Sequence, residues 1–301
     1  MDPAHHVHVS IVEGARTLCR TNWNYRDINS PFARIYHINS GRGIVEHHGQ
    51  TIALEPGPIY LIPSHTLSHY RCPFRMDLNW IHITATINRS LDLFSVLEPA
   101  SVYRPDKSDD FGALFRQLFL AARNPGIGNQ LQAEGLATFL LSRFFEHIPA
   151  KEQDARFARL RRFDPVVAYM REHLAQPLTL AALAAGIHLH PTYFSNLFTQ
   201  VMGMPPIPYF IRLRVEKAQE LLWFTEQPVK QIAAIVGFDD EFYFSRQFRK
   251  IVGRSPLHYR RNRTVLPVED PMHAGVRSGA NRESQLHHPS LHSVSQSGDR
   301  W

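Results

Sequence analysis

The sequence predicts an α+β fold, in which a small N-terminal β-barrel precedes a helical region with two helix-turn-helix units. Short β-type runs separated by Gly/Pro turns fill residues 7–86, a pattern typical of a sandwich or barrel. Helical periodicity takes over from residue 108, and residues 163–263 have helical patterning throughout. The placement of charge, described below, separates the two halves further.

Four β-type runs define the predicted barrel, which we assign to residues 1–107. They are Ala33–Asn39, Thr51–Leu54, Ile59–Ile62 and Leu78–Thr84. Two apolar stripes at helical spacing follow in residues 108–150. The first contains Phe111, Leu114, Phe115, Leu118 and Phe119, and the second Leu136, Phe139, Leu140, Phe144 and Phe145. Asn124-Pro125-Gly126 is expected to break the two helices.

The helical segment 108–150 is predicted to mediate dimerisation, because its apolar stripes exceed what a small barrel needs for cover. The alternative is that both helices only pack on the barrel. Residues 151–162 are charged and are expected to form a linker, helical in part. Residues 264–301 are rich in Ser, His, Gly and Pro, including the pair His287-His288, and are expected to be disordered.

The positive charge of this chain lies in one segment. Of the net charge of +6, residues 156–263 hold 16 basic and 8 acidic side chains. Residues 1–155 hold 14 and 15, and residues 264–301 hold 3 and 4. A localised basic domain is the electrostatic signature of a protein that binds a polyanion such as DNA.

The two cysteines, Cys19 and Cys72, form no CxxC pair, so neither a disulfide framework nor a zinc finger is expected. No apolar run approaches the ~20 residues that span a bilayer, and no signal peptide is recognisable at the N-terminus. We therefore expect a cytoplasmic protein without a membrane partner.

An internal repeat lies inside the basic segment. Tyr193-Phe194-Ser195-Asn196-Leu197-Phe198 recurs as Tyr243-Phe244-Ser245-Arg246-Gln247-Phe248. Leu183-Ala184-Ala185 recurs as Ile232-Ala233-Ala234, and Gly203, Pro206 and Tyr209 recur as Gly253, Pro256 and Tyr259. Each copy reads as a short helix, a tight turn, a longer helix, then Gly and Pro, which is the pattern of a helix-turn-helix.

The longer helix of each copy is predicted to bury one face and to present the other to DNA. The buried faces hold Phe194, Leu197, Phe198 and Val201, and Phe244, Phe248 and Ile251. The residues predicted to contact DNA are Thr192, Ser195, Asn196 and Thr199 in the first copy and Phe242, Ser245, Arg246, Arg249 and Lys250 in the second. Arg246 suits a guanine edge and Asn196 an adenine. The alternative is an ordinary amphipathic helix with a solvated face, in which Arg246 pairs with Asp239 or Asp240.

Residues between the copies, from Pro205-Pro206 to Pro228, are predicted to form one helix of about twenty residues, ~30 Å long. That length is close to one turn of B-DNA, ~34 Å. Such a helix could place two reading helices in successive major grooves on one face of the duplex.

These residues resemble the signature of AraC-type transcription regulators over residues 163–263. The resemblance rests on Gly237-Phe238-Asp239-Asp240, on the second repeat through Tyr259-Arg260, and on Arg214-Val215-Glu216-Lys217-Ala218. It implies sequence-specific binding to double-stranded DNA, a homodimer, RNA polymerase as a partner, and activation of transcription. His188 and His190 depart from the family pattern, which has Gly in the turn and Ser at the N-cap. His is a poor N-cap, and His188 is expected to strain the turn.

Residues 20–86 resemble the cupin-like sensing domain of such regulators. The resemblance rests on Gly41-Arg42-Gly43, Leu54-Glu55-Pro56-Gly57, Leu61-Ile62-Pro63, His69-Tyr70 and Trp80-Ile81-His82. It implies a small-molecule effector such as a sugar. The residues predicted to bind it are Arg42, His69, Tyr70, Trp80 and His82. Trp80 could stack on a sugar ring, and the alternative is that Trp80 is barrel core.

The sequence disfavours two other functions. A metal-dependent cupin enzyme is disfavoured because His47 and His48 are neighbours on a strand, so they cannot both ligate one inward metal. An architectural DNA-binding protein without an effector is disfavoured by the length of the β domain. Neither a catalytic constellation nor a Walker or dinucleotide motif is present, so we expect no enzyme, no cofactor and no metal site.

Overall fold

The computed structural model describes residues 6–88, 90–106, 109–261 and 276–277, and it has the α+β fold that the sequence predicts. The strands are β1 (Val7–Arg20), β2 (Asn24–Ile28), β3 (Ala33–Gly41), β4 (Gly43–His47), β5 (Gln50–Leu54), β6 (Ile59–Ile62), β7 (Ser68–Arg71), β8 (Arg75–Ile87), β9 (Leu91–Asp92), β10 (Val102–Tyr103) and β11 (Val276–Arg277). The helices are α1 (Leu93–Val96), α2 (Phe111–Arg123), α3 (Ile127–Ser142), α4 (Ala150–Arg161), α5 (Asp164–Glu172), α6 (Leu180–Ala185), α7 (Pro191–Met202), α8 (Pro206–Phe224), α9 (Val229–Ile235), α10 (Glu241–Val252) and α11 (Pro256–Arg261), with a 3-10 turn at Arg143–Phe145 after α3.

Two antiparallel sheets enclose the barrel. One has the strand order β10-β6-β3-β8-β1-β11, with β9 also paired to β8, and the other has the order β2-β7-β4-β5. Strands β1 and β8 pair along their whole lengths, from Val7 opposite Ile87 to Arg20 opposite Arg75. Alternate residues of β3 and β8 therefore point into the barrel, and the others face the helices outside it.

Three features differ from, or extend, the sequence-based expectation. The fourteen-residue strand β1 lies in the predicted β region 7–86 but was not among the four runs named there. The expected linker at 151–162 is almost wholly helix α4. Of the tail at 264–301, expected to be disordered, only 276–277 lie within the described residues, where they pair with β1, and His287-His288 lie outside them.

Helices α2 and α3 form an antiparallel hairpin broken at 124–126, as predicted. Phe115 and Leu118 of α2 are fully buried against the barrel, whereas Phe139 of α3, assigned to the same kind of stripe, is 39% exposed. The hairpin therefore covers the barrel with one face and leaves apolar side chains on the other.

Two hydrophobic cores run through the molecule. The first joins the outer face of β3 and β8 to helices α2–α7 and to the first half of α8. The second joins the barrel interior to the second half of α8 and to helices α9–α11. Each helix-turn-helix unit thus shares a core with a different face of the barrel. Over the described residues, every helix is too short or too polar to cross a membrane.

Candidate DNA-binding and effector sites

The two repeats fold as helix-turn-helix units, α6–α7 and α9–α10, joined by the nineteen-residue helix α8. Phe194 and Phe198 of α7 are fully buried, and Phe244 and Phe248 occupy the same positions in α10. These rings anchor each longer helix to the helices before it, which fixes the side chains of the opposite face.

The opposite faces carry the predicted DNA-contacting residues. Thr192 and Asn196 are exposed on α7, and the partly buried Thr199 donates to the Ser195 carbonyl oxygen at 2.7 Å. On α10, Ser245 is partly buried, and Phe242 is 78% exposed. The other predicted DNA-contacting residues of α10 are exposed as well: Arg246, Arg249 and Lys250.

One residue of α10 lies on a different face from the one that the sequence predicts. Ile251, placed on the buried face, is 39% exposed, and its neighbour Val252 is buried instead. The helix turns by 100° per residue, so near its end the next residue meets the core. Lys250 borders a cleft of about 510 Å³ that faces the barrel.

The guanidinium of Arg246 lies over a neighbouring ring rather than in an ion pair. Its carbon is 5.9 Å from the centroid of Tyr243. Among the described residues, neither Asp239 nor Asp240 forms a salt bridge with it: Asp240 instead caps α10, accepting from the Phe242 amide at 2.8 Å. The Arg246 donors therefore face outward.

The turns of the two units differ as the sequence indicates. His188 takes φ 55° in the first turn, where Gly237 takes φ 86° in the second. The left-handed region disfavours residues with a Cβ. His190 caps α7 without a side-chain hydrogen bond, whereas Asp240 caps α10 with one. The first turn is the more strained of the two.

Arg214, in the middle of α8, holds the second turn in place. Its Nη1 donates to the Gly237 carbonyl oxygen at 2.6 Å and its Nη2 to that of Gln176 at 2.8 Å. A Cβ on Gly237 would lie 2.4 Å from the Leu174 carbonyl oxygen, so this turn requires glycine. Arg214 belongs to the family motif quoted from the sequence, but its hydrogen bonds to the second turn are visible only in the structure.

Three of the five predicted effector residues converge inside the barrel. Tyr70, Trp80 and His82 are each at most 4% exposed. The Trp80 ring lies 4.6 Å from that of His82, and its Nε1 donates to Thr17 Oγ1 at 2.9 Å. The Tyr70 ring meets Trp23 edge-on at 5.4 Å. Trp80 is thus both a core residue and part of an aromatic, hydroxyl-bearing interior.

The other two predicted residues do not join them. His69 lies beside Tyr70 on β7, so it points out of the barrel, where its Nδ1 accepts from the Asp27 amide at 3.0 Å. Arg42 is exposed in the connection between β3 and β4. His69 and Arg42 are therefore removed from the interior group.

Two charged residues of the barrel interior were not predicted from the sequence. Arg34 is 3% exposed on the inward face of β3, and Glu13 of β1 lies 2.9 Å from Nδ1 of His82. A charge inside the predicted strand Ala33–Asn39 was the available signal, since a charged side chain is rarely buried without a role. Glu13 lies in the predicted β region 7–86 but outside the four named runs, so its face was not assigned.

His47 points inward and is 5% exposed, whereas His48 is exposed, as expected for strand neighbours. Over the described residues, no group of three His, Cys, Asp or Glu side chains is arranged to hold a metal ion.

Comparison with known proteins agrees with both halves of this arrangement. A family model described as an AraC-like ligand binding domain matches residues 14–141, and one described as a helix-turn-helix domain matches residues 183–262. The arabinose operon regulatory protein of Escherichia coli (strain K12) is 31% identical over 228 residues, which cover 73% of this chain and 77% of the relative. The chain belongs to the AraC family.

Two further matches differ in how much of this chain they cover. The raffinose operon transcriptional regulatory protein RafR of Pediococcus pentosaceus is 26% identical over 255 residues, 81% of this chain and 90% of the relative. The solved DNA-binding domain of AdpA, in complex with a target DNA, is 32% identical and covers 32% of this chain and 87% of that chain, with a TM-score of 0.31.

This AraC-type protein is a DNA-binding transcription regulator with an N-terminal ligand-binding domain. The relatives matched are transcriptional regulators, and they indicate no catalytic activity.

In this AraC-type regulator the ligand-binding barrel is docked on the DNA-binding half. Gln219 of α8 donates to Asn29 Oδ1 at 3.2 Å, and its Oε1 lies 3.2 Å from Nδ1 of His65. Arg254, which follows α10, reaches Asp27 at 3.7 Å. The barrel therefore contacts the helices that position the second reading helix.

A cleft of about 810 Å³ opens beside this docked surface, between the rim of the barrel, α1, α4 and α8. His47 and His65 from the barrel and Arg212 from α8 border it. Arg212 is also held by Glu216, at 3.0 Å.

Proposed function

We propose that this AraC-type regulator is a cytoplasmic homodimer that activates transcription when a sugar or related metabolite occupies its barrel. The observation that carries the proposal is the interior group of Tyr70, Trp80 and His82, at the end of the barrel that α8 covers. Ligand binding there would act directly on the helix that joins the two reading units.

The chemistry of the interior supports a sugar-like effector. Flat aromatic rings accept the apolar faces of a sugar, and hydroxyl and imidazole groups exchange hydrogen bonds with its hydroxyls. The two relatives named for arabinose and raffinose operons support the same class.

DNA contact is proposed through both reading helices. Asn196 and Arg246 occupy equivalent, exposed positions of α7 and α10. The exposed faces of these helices hold side chains that suit base edges, and the region around them carries the positive charge. Arg249 lies three residues beyond Arg246, where a phosphate contact fits.

The α2–α3 hairpin is the proposed dimer interface. Leu120, Ile127 and Leu131 are 62–70% exposed on its outer side. Apolar side chains of this size grouped on one surface are typical of a protein–protein contact. A second copy of this chain presents the same surface, and two-fold pairing of like surfaces closes on itself.

RNA polymerase is the proposed partner of the DNA-bound dimer, since activation requires that the enzyme be recruited or held at a promoter. The cytoplasm is the proposed compartment because Cys19 and Cys72 are free thiols, as a reducing environment maintains them.

The test begins with selection of binding sites from random DNA by the full-length chain. The selected site is then placed upstream of a promoter and transcribed with bacterial RNA polymerase, with and without a panel of sugars and sugar derivatives. We expect discrete selected sequences and a transcript that rises with one class of compound. Binding without sequence preference, or a transcript insensitive to the whole panel, would contradict the proposal.

A variant pair identifies the barrel as the effector site. Trp80→Ala should require more effector for the same transcript, whereas Phe74→Ala, at a side chain 85% exposed on the barrel surface, should behave as the parent. Equal responses of both variants would place the effector elsewhere.

A further inference from the structure

Arg34 is a buried cation for which the described part of the chain offers no anionic partner. Its guanidinium reaches the hydroxyl groups of Tyr70, at 3.1 Å, and Ser30. It also lies over the rings of Phe32 and Tyr70, at 5.2 and 5.4 Å. No carboxylate among the described residues pairs with it. Buried arginine is strongly unfavourable unless its charge is compensated, so this position favours a negatively charged group that the described residues do not supply.

The neighbouring His82 has a hydrogen-bond partner at one ring nitrogen, and the other ring nitrogen is buried without one among the described residues. His82 stands opposite both Arg34 of β3 and Glu13 of β1 in the sheet. Its Nδ1 lies 2.9 Å from the Glu13 carboxylate, to which an N–H at this position donates. Burial lowers the pKa of His82 to about 4, so the ring is neutral near pH 7. In that tautomer Nε2 is an acceptor, and it is buried with no hydrogen-bond donor from the residues that the structure describes.

We infer that the effector of this regulator is a hydroxylated carboxylic acid, such as a sugar acid, whose carboxylate pairs with Arg34 and whose hydroxyl donates to Nε2 of His82. This inference rests on the proposed role of the barrel as the effector site. A neutral sugar would satisfy His82 and leave Arg34 unpaired. A phosphate dianion would bring two negative charges to one guanidinium.

The surroundings fit the carbon skeleton of such a ligand. The Phe32 ring stacks on His82 at 4.3 Å, and Trp80 lies on the same face of β8. Planar rings around a polar pair are suited to a short, partly apolar chain or ring.

The same site reaches the DNA-binding half. Trp223 of α8 lies 6.0 Å from the Arg34 guanidinium and meets Phe32 edge-on at 5.1 Å. A carboxylate that draws Arg34 into a bidentate pair competes with the ring of Trp223 for that cation. Effector binding therefore changes the contact between the barrel and α8.

The test measures thermal unfolding of the full-length protein with sugars that share one ring and differ in the group at carbon 6. The compounds are D-glucose and D-galactose, their uronates, and their 6-phosphates. We expect a uronate to raise the Tm by several degrees at saturation, with smaller shifts for its neutral and phosphorylated partners. A panel in which no uronate raises the Tm, or in which neutral or phosphorylated compounds raise it as much, overturns the acid class.

Three variants connect that response to Arg34. Arg34→Met should abolish the uronate shift, Arg34→Lys should retain part of it, and Arg20→Met, at an exposed arginine of the same barrel, should retain it all. A uronate shift of parental size in Arg34→Met overturns the inference. The unliganded Arg34→Met protein should unfold at the parental Tm or above, because an uncompensated charge is removed. A Tm several degrees lower would assign Arg34 to structural support and overturn it as well.

Failure of the inference is distinguishable from failure of the proposed effector site. A shift by neutral sugars that survives in Arg34→Met but is lost in Trp80→Ala overturns the acid class and leaves the barrel as the effector site. A shift that survives in both variants contradicts both.

Discussion

The guanidinium of Arg246 lies 5.9 Å from the ring centroid of Tyr243 on the exposed side of α10. The ring supports the cation without using its in-plane donors, which leaves the fork open for a base edge. We therefore expect Arg246 to be available to contact a base.

Arg246→Ala should relax preference at one or two base pairs, at a cost of about 1–3 kcal/mol of discrimination. Lys250→Ala should instead weaken all sequences alike and reduce the salt slope by about one charge. Binding-site selection and salt titration on both variants measure the two effects. If Arg246→Ala kept the parental sequence preference and lost only overall affinity, a base-reading role would be wrong.

The first helix-turn-helix should become more stable when His188 and His190 are replaced by the residues usual in such a turn. His188→Gly relieves a left-handed histidine, and His190→Ser supplies the absent cap, each with a gain of up to about 1 kcal/mol. Thermal unfolding should show a rise of a few degrees for each, and His188→Ala, which keeps a Cβ, serves as the control. A lower Tm for His188→Gly would mean that the chain entropy of glycine outweighs the relieved strain.

Acid should destabilise the barrel through His82. Burial lowers the pKa of His82 to about 4, below the ordinary value of 6.5. Between these pH values the unfolded chain binds a proton that the folded chain does not, so the free energy of unfolding falls as pH falls from 6.5 to 4. The fall attributable to His82 is at most roughly 3 kcal/mol.

Urea unfolding of the parent and His82→Gln at a series of pH values isolates this contribution. Burial also lowers the pKa of His37 and of His47, and both remain in the variant. The pH dependence should therefore be shallower in His82→Gln but not flat. Parallel pH profiles for the two proteins would show that His82 does not contribute.

The outer side of the α2–α3 hairpin should carry the dimer. Leu131→Glu places a charge at a side chain that is 62% exposed. The variant should shift the full-length protein towards monomer in sedimentation experiments at protein concentrations on the order of tens of micromolar, where weak dimers form. Gln132→Glu adds the same charge at the next exposed position and should leave the dimer intact. An unchanged dimer in Leu131→Glu would assign the interface to another surface.

Docking of the barrel on α8 should depend on Gln219. Gln219→Leu removes its contacts to Asn29 and His65 and leaves their partly buried polar atoms without those partners, at a cost of about 1 kcal/mol. Thermal unfolding measures the loss, and protease cleavage between the two halves should accelerate. Lys217→Met is the control, because among the described residues Lys217 pairs with Glu220 of the same helix.

The DNA-binding half was largely predictable because its pattern is local. The repeat around Phe194 and Phe244, the period of α8, and the contrast between His188 and Gly237 are all readable within a few residues of sequence. The alternation along β8 likewise placed Trp80 and His82 on one face. These inferences need only the periods of a helix and a strand.

The remainder depends on which strands become neighbours, which local patterns do not fix. Strand β1 lies in the predicted β region, but its pairing with β8 could not be read from the sequence, so the approach of Glu13 to His82 was not foreseen. His69 and Arg42 were grouped with Trp80 by a resemblance in sequence, but the pleat of β7 and a surface turn direct them elsewhere. Arg34 was readable as a charge in a strand, yet its isolation from carboxylates appears only in the folded barrel.

The division of the hydrophobic interior into two cores has a consequence for how this regulator opens. Rings connect Phe32 to Trp223, Trp223 to Tyr259, and Tyr259 to Phe248, at 5.1, 6.0 and 5.5 Å. The barrel interior and the second reading helix therefore share one packed core, while the first reading helix shares another with the hairpin and the outer face of the sheet. Under hydrogen exchange, amides of α10 should lose protection together with those of the barrel interior, and amides of α7 should lose it with those of α2. The seam between the two cores crosses the middle of α8, within the DNA-binding half itself.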